Sequence, residues 1–290
     1  VALPKNGVIE APKIVPSAFG LLAVVDEQTA EEDRWIRGFS QEWETDLYGL
    51  YNVDDTNADE TLIAGTGNVN YYDEIKPFFV EVQEDRSTFA FLGIDRLERL
   101  KRQCDAATQR AVEQELWDGA IRKAAGHTNR ALTSSGVTVL NGGAAVSPKR
   151  ALAILEQGIA EASHAGEQGI IHATRDVIAL LSSNSQMLFH NKDKDHLQTM
   201  GGTPVVVGSG YTGTGPDGDE NATATVSNKW IYATGTVRVF LGDVDIVNDS
   251  LSQAYDVSGN ANDMRIKAIR PAAAYFDTSI HLAVRVDLTA

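Results

Sequence analysis

The sequence predicts an α+β fold, and three observations carry the prediction. An alternating apolar segment at residues 77–91 runs into a long, two-faced charged pattern. Helical and strand-like stretches then follow without the regular alternation of a doubly wound sheet, and the chain closes on alternating strands at Arg265 to Arg270 and Ser279 to Leu288. A chain of 290 residues is long enough to bury about 75% of its unfolded surface, as one large domain or two.

The elements follow in order. Pro4, Pro12 and Pro16 break the first thirty-three or so residues, and proline removes an amide donor and restrains its predecessor, so an extended arm that finds its partners elsewhere is expected. Trp35, Ile36, Phe39, Trp43, Leu47 and Tyr48 recur at loosely helical spacing, weakened by Gly38 and Gly49. Asn52 to Ile75 is rich in Asp, Asn, Thr and Gly around two apolar patches, Leu62-Ile63 and Tyr71-Tyr72, which reads as a long hairpin-like excursion. A strand from Pro77 then feeds a helix of about thirty residues, far beyond the usual length of about 11 to 12. Ile94, Leu97, Leu100, Cys104, Ala107, Ala111 and Leu116 form its expected apolar stripe, with Arg96, Glu98, Arg99, Lys101, Arg102, Arg110 and Glu113 over much of the remainder. Beyond it come a strand at Val137 to Leu140, a helix opened by Ser147-Pro148, a buried strand at Gly169 to Ala173, a short helix at Thr174 to Leu181, and strands at Thr203 to Val207, Lys229 to Thr234 and Thr236 to Leu241. No internal repeat at a fixed period occurs.

Charge narrows the function. With 40 acidic against 25 basic residues, a net charge of -15 argues against binding polyanions over a broad face. Neither an eighteen-residue apolar run nor a secretory signal pattern occurs, so no membrane partner and a cytoplasm-like setting are expected. The single cysteine, Cys104, lies on the apolar stripe and reads as a small buried hydrophobe.

Chemical motifs are few. Gly208 to Gly213 matches G-x-G-x-x-G after the strand-like PVVV, but the residues that follow, TGPDGDENATATVSN, do not open a helix, and a pyrophosphate site needs one. A loop within a sheet region is the stronger reading. The acid clusters Asp54, Asp55, Asp59, Glu60 and Asp217, Asp219, Glu220 lack calcium-loop spacing and read as solvated loop tips, with weak cation binding the alternative. His190 and His196 read as surface loop residues, and His281 as a structural histidine in a strand. Neither a nucleophile elbow nor a Walker loop is present, so no catalytic residue, cofactor or metal site is expected.

Arm, polar excursion, strand, long charged helix and α+β remainder together resemble the major capsid proteins of tailed bacteriophages, the Hong Kong 97-type fold. The likeness is most specific in FVEV and LERLKRQCDAATQRAVEQELWDGAI, which resemble the spine-helix region of capsid proteins from actinobacterial siphophages. GGTPVVVGSGYTGTGP and KWIYATGTVRV are similar to the axial-domain sheet. The resemblance implies an N-terminal arm at 1–38, a peripheral domain at 39–144 with an E-loop at about 52–76 and a spine helix at 93–124, an axial domain at 145–260, and C-terminal strands at 261–290 completing the peripheral domain. It also implies hexamers and pentamers in an icosahedral shell around double-stranded DNA, in a virion assembled in host cytoplasm, with a portal and with scaffold or decoration proteins as partners. Leu62, Ile63, Tyr71, Tyr72, Arg99, Arg102 and Arg110 are the expected subunit-contact residues.

Some relatives crosslink an E-loop lysine, yet Asn52 to Ile75 holds none and Lys76 stands only at its base, so covalent crosslinking is not expected. Two rivals remain at this stage: an encapsulin shell of the same fold, and a soluble nucleotide-binding enzyme using Gly208 to Gly213.

Overall fold

The computed structural model describes residues 19–25, 27–28, 39–43, 71–75, 77–85, 95–119, 131–162, 169–183, 188–191, 196–217, 221–248 and 265–289. Three sheets organise them.

A two-stranded sheet pairs β2 (Phe39–Trp43) antiparallel with β3 (Tyr71–Ile75), Phe39 opposite Ile75 and Trp43 opposite Tyr71. The helical spacing expected around Trp35 to Tyr48 gives way here to a strand, because Phe39 and Trp43 stand four apart, a spacing that serves either period, and aromatic residues favour strands. The pairing brings the two ends of residues 44–70 together, as a hairpin-like excursion requires. Residues 44–70 themselves, including Leu62 and Ile63, lie outside the described residues.

The five-stranded sheet runs β1 (Glu27–Gln28), β11 (Val237–Leu241), β13 (Arg265–Phe276) and β12 (Asp245–Asn248), with β4 (Phe78–Asp85) on the free side of β13. Against this sheet lies the long helix α2 (Asp95–Asp118), whose Leu100 and Cys104 pack on Ala268, Val82 and Ile246. The helix is 24 residues long and stops short of the expected Ala124. Gly119 follows it with φ 61 and returns its amide to the Glu115 carbonyl at 2.9 Å, a left-handed glycine cap at no steric cost. Downstream, the Leu132 and Thr133 amides donate to the Leu116 and Trp117 carbonyls, so the last turn has backbone partners.

The buried face of α2 is also shifted from the expected stripe. Leu100, Cys104, Thr108, Val112 and Leu116 are buried at strict four-residue spacing, whereas Leu97 is exposed and Ala107 and Ala111 are half-buried. Thr108 satisfies its hydroxyl by donating to the Cys104 carbonyl at 2.7 Å, and can therefore take an interior position.

The seven-stranded sheet has the order β5 (Thr138–Val139), β14 (His281–Asp287), β10 (Asn228–Thr234), β6 (Ile170–Ala173), β9 (Pro204–Val207), β8 (His196–Thr199), β7 (Leu188–Asn191). Its centre is covered on both sides, so β6 and β9 are buried at every position, with His172 the one polar residue between them. On one side Ile171, Val205, Ile231, Leu282 and Val284 meet the buried faces of α3 (Pro148–Ala162) and α4 (Arg175–Ser183). On the other, Ile170, Val206, Trp230, Tyr232 and Ala283 meet Leu116 and Trp117 of α2. Sheet membership does not follow the break expected at residues 260 and 261: β11 and β12 join β13, while β14 pairs along its whole length with β10.

The arm is not extended throughout. Phe19 to Val25, with the single helical turn α1 (Leu21–Val24), packs on the chain's own core, where Leu21 is 1% exposed. Leucine at this depth contributes on the order of 1.5 to 3 kcal/mol through burial, which is why the turn stays home.

Candidate functional site

Two regions bear on function: the joint between α2 and the seven-stranded sheet, and the exposed face of α2.

The joint is built by the glycine loop after β9. Val207 ends the strand, and Gly208 to Gly213 crosses directly over α2. A Cβ on Gly210 would stand 2.7 Å from the Gln114 nitrogen and 2.8 Å from the Arg110 oxygen, so the helix backbone itself excludes a side chain there. Two of the loop amides already have a carboxylate partner. Glu113, buried at 3% exposure, accepts the Ser209 amide at 2.5 Å, the Ser209 hydroxyl at 2.7 Å and, more distantly, the Gly210 amide at 3.4 Å. Its other oxygen accepts the Leu21 amide at 2.9 Å.

A phosphate cradle needs these same amides open toward an anion at a helix start. Here they meet a carboxylate, and residues 211–217 continue as irregular chain without a helix. The loop is a packing joint, and the enzyme reading loses its motif.

Inside the joint, aromatic rings and a histidine form one connected layer. Trp117 lies 4.6 Å from Tyr211 and 5.0 Å, edge-on, from Tyr232. Its indole N–H donates to the Thr214 hydroxyl at 3.0 Å, and the Tyr232 hydroxyl donates to the Thr214 carbonyl at 2.8 Å. His172, in the middle of β6, is fully buried between Tyr211 at 2.7 Å from Nδ1 and Thr234 at 2.9 Å from Nε2. Thr234 spends its own proton on the Gly235 carbonyl at 3.1 Å, so it accepts from Nε2–H and leaves Nδ1 to accept from Tyr211. Burial, then the neighbouring His281, lowers the His172 pKa from 6.5 to about 3, and burial followed by the Glu113 charge raises that of Tyr211. Both therefore stay neutral and serve as structure.

The remaining candidates separate clearly. Cys104 is buried with its thiol near the Ala268 carbonyl at 3.6 Å, and burial raises its pKa, as an inert core thiol requires. His190 and His196 are strand residues of β7 and β8, not loop residues, and His196 is buried; the charged NKDKD between them hid the hairpin. His281 donates through Nε2 to the Leu132 carbonyl at 3.1 Å. Asp217 anchors its amide on the Thr133 carbonyl at 2.7 Å, while Asp54, Asp55, Asp59, Glu60, Asp219 and Glu220 lie outside the described residues. Among the described residues, no group of three or more His, Cys, Asp or Glu side chains is arranged to hold a metal ion, and no helix is long and apolar enough to cross a membrane.

Of the expected contact residues, Arg99, Arg102 and Arg110 stand exposed on α2. Arg102 donates to the Glu98 carbonyl at 3.3 Å, while exposed Leu97 adds an apolar spot to the same helix. Tyr71 and Tyr72 lie in β3 opposite Trp43 and Glu42. Leu62 and Ile63 are outside the described residues. Sequence reasoning placed Glu113 on the polar remainder of the helix and Ser209 and Tyr211 in the glycine loop but assigned them no partners, since nothing local distinguishes Glu113 from the exposed glutamates of a charged helix.

No family model matches the sequence, and no curated protein matches it. Solved structures do. The chain superposes on the capsid of an empty GTA particle with a TM-score of 0.60 and 12% identity, covering 99% of this chain and 95% of that one. A structure from Microbacterium phage Oxtober96 gives a TM-score of 0.56 at 12% identity, over 99% and 96% of the two chains. The encapsulin SrpI of Synechococcus elongatus, in its holo complex, gives 0.56 at 9% identity, over 100% and 94%. At such identities the likeness establishes the fold: the chain has the Hong Kong 97-type architecture of shell subunits, with the α+β class read from its sequence.

Proposed function

We propose that this chain is the major capsid protein of a tailed bacteriophage, self-assembling into hexamers and pentamers that close an icosahedral shell around double-stranded DNA. The observation that carries the proposal is the fold match over 99% of the chain to the capsid of an empty GTA particle. The net charge of -15 supports it, because a wall that repels phosphates lets DNA pack and leave.

In this reading the domains follow the sheets. The seven-stranded sheet with α3 and α4 is the axial domain, and the five-stranded sheet with α2 is the peripheral domain. Residues from about 52 to 76 form the E-loop, with Leu62, Ile63, Tyr71 and Tyr72 meeting a neighbouring subunit. Residues 1–38 are the N-terminal arm. Arg99, Arg102 and Arg110 pair with carboxylates of adjoining copies; each exposed pair contributes about 0.2 to 1 kcal/mol, so repetition across the shell makes them count. The shell is a virion component assembled in host cytoplasm, with a portal and scaffold or decoration proteins as its partners.

The likeness to an encapsulin, at a TM-score of 0.56 against 0.60 for the GTA capsid, supports a second reading, a cellular compartment shell. Sedimentation followed by nuclease treatment separates the two. Large particles from an infected host that protect double-stranded DNA support the capsid, particles that retain a protein cargo and no DNA support the compartment, and a small soluble oligomer under all assembly conditions contradicts both.

A further inference from the structure

Glu113 joins three distant parts of the described chain. It rises from α2, holds the Leu21 amide at the root of the arm, and holds Ser209 and Gly210 of the glycine loop. Among the described residues it is held by neutral donors and no cation pairs with it. A buried carboxylate is tolerated only when such donors are in place, so the three partners are bound to one another through it. Beside this point the arm root makes a contact of its own: the Val207 amide donates to the Phe19 carbonyl at 2.7 Å, and the Phe19 ring stands edge-on to His190 at 5.7 Å.

We infer that Glu113 is a latch that couples the seating of the Phe19 to Val25 segment to the seating of α2 on the seven-stranded sheet. Leu21 and Ser209 share one carboxylate, so α2 cannot shift along the glycine loop without carrying the arm root or releasing it. In an assembling shell, any tilt of the long helix would then reach the arm. That consequence rests on the capsid reading, whereas the latch itself does not.

Residue-resolved hydrogen exchange on the full-length, unassembled subunit tests it, comparing the natural protein with Glu113→Gln and Ser209→Ala. Glutamine keeps the shape but turns one acceptor into a donor facing other donors. Leu21, Ser209 and also Val207, whose bond goes to Phe19, should exchange at least about tenfold faster in Glu113→Gln. Tyr232 and Val284, in β10 and β14, should keep their protection. Ser209→Ala removes one donor and should speed the same three amides by a smaller factor. Val207 protection unchanged while Leu21 loses its own would show the arm root held without the carboxylate and overturn the latch. Should Glu113→Gln unfold as a whole, Ser209→Ala decides by the same criterion: acceleration at Val207 supports the latch, and none refutes it. Neither outcome depends on whether the subunits form shells.

Discussion

The Tyr211 hydroxyl donates to Nδ1 of His172 across 2.7 Å, in the layer where the long helix meets the seven-stranded sheet. Removing the hydroxyl in Tyr211→Phe leaves a buried acceptor without its partner, which costs about 1 to 3 kcal/mol. Urea unfolding of the free subunit should show that loss as a lower midpoint with an unchanged slope.

The same histidine gives a pH dependence of known sign. The unfolded chain takes up a proton at His172 below about pH 6.5, whereas the folded protein stays neutral there down to about 3. More protons bind to the unfolded state in that window, so this stabilisation is complete above pH 6.5 and is lost as pH falls toward 3. The slope from this group is at most about 1.4 kcal/mol per pH unit. His172→Asn should therefore lose less stability than the natural protein between pH 7 and pH 5, whatever its stability at pH 7. Equal losses would place the histidine in a far wetter setting.

Gly208 to Gly213 should bind no dinucleotide. Equilibrium titration with NAD, FAD and ATP is expected to show no saturable site up to millimolar ligand, because Glu113 already holds the Ser209 and Gly210 amides. Gly210→Val should damage folding by about 1 to 3 kcal/mol through overpacking against the helix backbone.

Truncation should divide the arm at Phe19. Deleting residues 1–18 is expected to leave a subunit with natural unfolding behaviour and impaired shell closure. Deleting 1–30 also strips Leu21 from the core and should lower stability by several kcal/mol, on the order of a large-to-small core change. Thermal melts of the two truncated subunits check this directly.

Replacing Leu62 and Ile63 together by Asp should weaken particles against heat or dilution while leaving the unfolding of free subunits nearly unchanged. Equal damage to both would put these residues in the subunit's own core. A parallel charge reversal at Arg99 and Arg102 should act mainly at low salt, since exposed pairs are screened.

Much of this architecture was legible because periodicity reports burial. Ile170 to Ala173, Pro204 to Val207 and Asn228 to Thr234 declared themselves as apolar strands, and Pro148 marked the start of α3. What escaped was decided at long range. Leu97 fits the helix period but is exposed among the described residues, while Glu113 breaks it and is buried because donors from Leu21 and Ser209 converge there. Gly119 ended the long helix through its backbone conformation, a signal available in the sequence and outweighed by the apolar pattern beyond it. The antiparallel pairing of β7 with β8 was hidden by the charged residues that separate them in the sequence.

Cryo-electron microscopy of the purified full-length protein under assembly conditions tests the central claim most directly. Closed shells built of six-fold and five-fold capsomers, with residues 44–70 of each subunit lying over a neighbour, are the predicted result. A uniform small oligomer at every protein and salt concentration, with those residues folded back on their own subunit, would contradict it.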